Sequence, residues 1–120
     1  MRIAFSGAAC TGKTTTINAF LEKWPNYKLI KSDYRELIKK NKKHSKKVTA
    51  KNQADILDIL LNESSPFTLH DNVCYDRCAL DNLVYSLWAH GSDKKGFSDD
   101  YMAKTIEKVK EAMKNLDIIF

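Results

Sequence analysis

Ser6-Gly7-Ala8-Ala9-Cys10-Thr11-Gly12-Lys13-Thr14-Thr15 is the stretch whose reading decides the fold. From Gly7 to Thr14 it satisfies G-x-x-x-x-G-K-[ST] in full, and the spacing has a mechanical reason. Glycine at 7 and 12 permits backbone angles that a side chain forbids, so the chain can close tightly on an anion. The amides from Ala9 to Thr14 turn inward as a concave nest, with Ala8, Cys10, Thr11 and Thr15 completing the lining. The helix that follows aims its positive end at the same point. Lys13 reaches the β- and γ-phosphates of a nucleoside triphosphate, and the Thr14 hydroxyl is placed to ligate Mg²⁺. ATP and Mg²⁺ are therefore the ligands this stretch implies.

The flanks supply the context the motif requires. Residues 2–6 form a short apolar run stopped by Gly7, as a buried strand of a parallel sheet would. After the loop, Ile17, Phe20, Leu21 and Trp24 recur on one helical face, and Pro25-Asn26 ends the helix. Tyr27 to Ile30 reads as a second strand. A helical pattern begins at Tyr34, and a helix over about residues 50–62 is capped by Thr49. Val73 to Asp76 is a third strand. Ala79 to His90 is helical, with Leu80, Leu83, Val84, Leu87 and Trp88 as its expected core stripe and Gly91 as C-cap. Ser98 caps a last helix with Asp99 and Asp100 in its first turn, and Met102, Ile106, Val109 and Met113 line one face. Leu116 to Phe120 is a strand signal. Strands alternating with helices predict a three-layer α/β/α domain around a parallel sheet, a single unit over residues 1–120. Because the sequence stops in an apolar strand, a fragment truncated after the fourth strand is expected.

Composition narrows the partners. The net charge is +5 with a pI near 9.1, which favours anionic ligands. The excess is local: Lys39, Lys40, Lys42, Lys43, Lys46 and Lys47 crowd one segment. The plain reading of Lys39–Lys47 is a solvated loop. The sharper one is a grip on a polyanion such as a nucleic-acid 5′ end, without the interleaved aromatics that stack bases. Cys10, Cys74 and Cys78 make no disulfide framework, which points to a reducing, cytoplasmic setting. The spacing of Cys74 and Cys78 is a poor zinc signal. Cys10, close to Lys13, is a thiol that a positive neighbour can acidify. The N-terminal apolar run is too short for a signal peptide, and no stretch approaches a membrane span.

With the loop in hand, a second segment gains meaning. Tyr75-Asp76-Arg77-Cys78-Ala79-Leu80-Asp81-Asn82-Leu83-Val84-Tyr85 resembles the D-R-x-x-x-D-x-x-x-Y segment of small P-loop kinases. These are the nucleoside, nucleoside-monophosphate and ribosylnicotinamide kinase-like proteins, including an AAA-type P-loop domain family found in many phages. Ser32-Asp33-Tyr34-Arg35-Glu36-Leu37-Ile38 looks like the same group's E-x-x-R-E-[FL]-[IV] segment, with Ser32 where Glu is frequent. The resemblance implies a P-loop NTPase fold and phosphoryl transfer from ATP to a nucleoside, nucleotide or related small acceptor. It gives Asp76 a contact to Mg²⁺ or to the acceptor hydroxyl, gives Arg77 a phosphate, and places Arg35 in the acceptor pocket. It leaves the general base between Asp33 and Asp76, with Asp33 favoured. Asp81 and Tyr85, one turn apart, either serve the site or face a neighbouring helix. A lid with arginines follows the fourth strand in this group. A polynucleotide 5′-kinase, or an ATPase or switch module without a small acceptor, are the other readings.

Overall fold

The computed structural model describes residues 1–8, 10–31, 49–65 and 72–120. In chain order they form β1 (Arg2–Phe5), α1 (Lys13–Lys23), β2 (Lys28–Lys31), α2 (Ala50–Glu63), β3 (Val73–Asp76), α3 (Ala79–Gly91), α4 (Asp99–Met113) and β4 (Ile118–Ile119). The helical pattern beginning at Tyr34 and the Lys39–Lys47 segment fall outside the described residues.

The strands pair in parallel in the order β2-β3-β1-β4. Side chains alternate across such a sheet, so each strand feeds two cores. Ile3, Phe5 and Cys74 go to one face, where Ile17, Phe20 and Leu21 of α1 cover them. Ala4, Val73 and Tyr75 go to the other, against Leu80, Met113 and Leu116. This is the α/β/α layering expected of a P-loop NTPase, with four parallel strands. On the α1 side an aromatic group closes the layer. Phe20 lies 5.7 Å from Phe5, 4.9 Å from Trp24 and 5.0 Å from Tyr27, ring centre to ring centre. Burying one such ring stabilises the fold by about 1.5–3 kcal/mol.

The second layer is a three-helix group. Leu57 of α2, Ala79 of α3 and Val109 and Ala112 of α4 pack together. Two expected caps hold their helices: Thr49 accepts from the Asn52 amide at 3.2 Å, and Ser98 from the Tyr101 amide at 3.1 Å. Gly91 does not cap α3; it ends the helix itself, and Ser92 takes the cap position.

The inward face of α3 is the main departure from the sequence reading. Ala79, Asn82, Ser86 and Ala89 are buried, while Val84, Leu87 and Trp88, expected in the core, are 57%, 48% and 55% exposed. The reason is steric. A helix wedged against two others approaches closely only on small side chains, so the small face turns in and the large one out. Asn82 Nδ2 then reaches α2, donating to Gln53 O at 2.7 Å and Gln53 Oε1 at 3.0 Å.

Candidate functional site

Parallel pairing brings the strand ends into one row. Phe5 at the end of β1 is in register with Asp76 at the end of β3, and Asp76 with Lys31 at the end of β2. No strand separates β1 from β3, so the loop leaving one and the turn leaving the other are neighbours at the carboxyl edge, where open α/β sheets bind ligands. On the far side β4 runs alongside β1 to the base of the loop: Phe120 donates its amide to Ala4 O at 2.9 Å, and Ser6 donates to Phe120 O at 2.7 Å.

The loop has the backbone its glycines allow. Gly7 has φ 145°, and Gly12, at φ 79°, is the N-cap of α1. Glycine offers no capping oxygen, and the first turn of α1 carries no acidic residue. Among the described residues no capping side chain or first-turn acid meets these amides, which leaves the positive helix end for an external anion. Thr11 Oγ1 closes the loop by donating to Ala8 O at 2.9 Å. Cys10 is exposed and takes φ 62°, a left-handed conformation. Thr14 and Thr15 open α1 with exposed side chains. Ala9 lies outside the described residues.

Lys13 points back over this loop. Its Nζ lies 3.4 Å from Gly7 O and 3.9 Å from Asp76 Oδ1, with the side chain only 11% exposed. The lysine of the motif and the aspartate of the second segment, separate in sequence, therefore form an ion pair. Arg77 follows at φ 84°, left-handed backbone that costs a residue with a Cβ about 1–2 kcal/mol. Its amide donates to Phe5 O at 3.0 Å, which fixes the turn to the end of β1. Strain of this kind concentrates at functional sites. Asp33 and Arg35, the other acceptor-side candidates, lie outside the described residues.

Mg²⁺ prefers a small number of protein oxygens and fills its shell with phosphate and water. Thr14, exposed at the start of α1, and Asp76, at the end of β3, supply a hydroxyl and a carboxylate at the loop and beside it. The donor chemistry fits that ion.

The sequence reading left Asp81 undecided, and its geometry is now definite. It is 7% exposed. Oδ1 accepts from Ser6 Oγ at 3.1 Å and from the Gly7 amide at 2.9 Å, and Oδ2 accepts from the Cys78 amide at 2.9 Å. It faces the loop, not a helix. Cys78-x-x-Asp81 has capping-box spacing, with a thiol where Ser or Thr is usual; that substitution hid the signal. Tyr85, one turn on, is 41% exposed.

Two cysteines are removed from the chemistry. Cys74 packs on the α1 face of the sheet and Cys78 on the other, so they share no site. Burial pushes both thiols up to about 11, with the Asp76 charge adding to it at Cys74. At Cys78 a hydrogen bond from the Leu80 amide works against the rise, and the Asp81 charge adds to it. Among the described residues, no His, Cys, Asp or Glu cluster of metal-binding size occurs, and no helix is long and apolar enough to cross a membrane.

No curated protein and no solved structure matches this sequence. A family model described as an AAA domain matches residues 2–116, nearly the whole chain and both segments that build the site. The chain belongs to that AAA domain family, and it is a nucleotide-binding protein of the P-loop NTPase type.

Proposed function

We propose that this protein is a phosphotransferase that moves the γ-phosphoryl group of ATP to a nucleoside, a nucleotide or a related small acceptor. The observation that carries the reading is the meeting of Lys13 with Asp76, 3.9 Å apart, beside an Arg77 held in strained backbone. Beside the loop stands the Asp76 carboxylate at the end of the neighbouring strand, with Arg77 next in the chain, residue types that suit an acceptor hydroxyl and a second phosphate.

The division of labour follows from the chemistry. The transferred group passes through a loose transition state with charge spread over its oxygens, so positioning and charge neutralisation do most of the work. The loop amides and Lys13 would hold the β- and γ-phosphates. Arg77, with its planar fork, would hold an acceptor or donor phosphate in a fixed direction. Asp76 would orient the attacking hydroxyl or contact the ion. Mg²⁺, held by Thr14 and Asp76, would neutralise phosphate charge. Either Asp33 or Asp76 is the proposed base, and Arg35 the proposed acceptor contact.

The test is acceptor-dependent ADP release. The protein is given Mg·ATP and a panel of nucleosides, nucleoside monophosphates, nicotinamide riboside and short 5′-hydroxyl oligonucleotides. The last of these addresses a polynucleotide 5′-kinase acting through Lys39–Lys47. One acceptor class should raise ADP release well above the ATP-only rate, and R77A should abolish the increment. ADP release that no acceptor changes would remove the kinase reading and leave an ATPase or switch.

A further inference from the structure

We propose that Asp81 is a positioning residue that locks the phosphate loop and the Asp76-Arg77 turn into one register, so that neither half of the site is set without the other. The contacts form a closed ring. Asp81 Oδ1 holds the Gly7 amide, and the other side of that residue, Gly7 O, takes Lys13 Nζ at 3.4 Å. Lys13 Nζ continues to Asp76 Oδ1 at 3.9 Å. Asp76 leads through Arg77 to the Cys78 amide, which returns to Asp81 Oδ2 at 2.9 Å. A single buried carboxylate thus holds amides from both segments. Ser6 Oγ, donating to the same Oδ1 at 3.1 Å, adds a third donor.

Two features of the ring call for such a clamp. Gly7, at φ 145°, is free to turn its carbonyl away from Lys13 unless its amide is held. Arg77, at φ 84°, will relax unless both its flanks are fixed; Phe5 O fixes its own amide and Asp81 fixes the next one. Asp81 does not need to touch the nucleotide to govern its binding. A carboxylate accepting from several donors, rigid at the first turn of α3, presets the donors that do touch it.

The consequence for ATP rests on the loop being the triphosphate site; the clamp itself does not, so the experiment has two arms. In the first, amide hydrogen exchange is followed in the protein without nucleotide. The Gly7 and Cys78 amides share one acceptor residue, so their protection factors should agree within ~3-fold in the wild type. In D81N one of the two acceptor oxygens becomes an NH₂ that cannot accept, so at least one of the two amides should lose ~10-fold or more, while the Ala4 and Cys74 amides in the strands keep theirs. Wild-type factors differing by more than ~30-fold would overturn the clamp, and that comparison stands even where D81N fails to fold. Equal losses at all four amides would mean general destabilisation and would overturn it too.

In the second arm, Mg·ATP affinity is measured for wild type, D81N, R77A and the double variant. D81N should weaken binding at least ~10-fold, and R77A should cost much less in the D81N background than alone. Additive effects would refute the coupling. A wild type that binds no ATP would defeat the nucleotide reading, with the exchange arm still deciding whether Asp81 ties the loop to the turn.

Discussion

Arg77 offers a comparison in which stability and function should separate. Its φ of 84° is left-handed, and such backbone costs a residue with a Cβ about 1–2 kcal/mol. Alanine at 77 keeps that cost; glycine removes it. Glycine brings its own penalty, about 0.5–1 kcal/mol of extra freedom in the unfolded chain. The difference favours R77G over R77A by about 0.5–1 kcal/mol, which corresponds to roughly 2–4 °C in melting temperature for a domain of this size. At an ordinary strand or helix position the order is reversed. Both variants lack the guanidinium, so both should lose acceptor-dependent turnover to the same extent. Urea denaturation with a common slope supplies the first quantity, and coupled ADP release the second. If R77G proves less stable than R77A, the turn is not held in left-handed backbone and the strain argument fails.

Three further outcomes follow from the geometry. G12A should cost about 1 kcal/mol in a thermal melt from its φ of 79° alone, since a Cβ there meets nothing within 4 Å; a cost above about 3 kcal/mol would mean a clash that the loop does not contain. On α3, W88E at the exposed face should change stability by less than about 0.5 kcal/mol, whereas S86L at the fully buried face should cost about 1–3 kcal/mol; the reverse order would restore the core stripe expected from sequence. Alkylation at pH 8 should label Cys10 alone in the folded protein and all three thiols in urea. Cys74 and Cys78 titrate near 11 in the fold against an ordinary 9.0, so the unfolded chain loses those protons first, and stability should fall as pH rises between those values. A flat profile there would contradict the burial of both thiols.

The geometry of the loop was legible because its determinants are local. The spacing of Gly7, Gly12, Lys13 and Thr14 dictates a loop, a helix start and a cation within one short stretch, and the parallel sheet follows from alternating strand and helix signals. The Lys13–Asp76 pair was only half legible: sequence supplied both residues, but their meeting depends on β3 lying directly beside β1. Two features escaped for physical reasons. Periodicity on α3 identifies an apolar stripe, yet which side turns inward is decided by how closely the neighbouring helices approach, and that selected Ala79, Ser86 and Ala89 over Leu87 and Trp88. Asp81 was ambiguous because its partners, Ser6, Gly7 and Cys78, include two backbone amides, and a backbone donor leaves no signature in side-chain identity.

The central claim is that the loop from Gly7 to Thr14 holds a nucleoside triphosphate through Lys13. Calorimetric titration of Mg·ATP into the wild type and K13A tests it most directly. The wild type should bind with one-to-one stoichiometry, and K13A, having lost the cation nearest the phosphates, should bind at least ~10-fold more weakly while melting as a folded protein. Equal affinity in the two proteins would contradict the account.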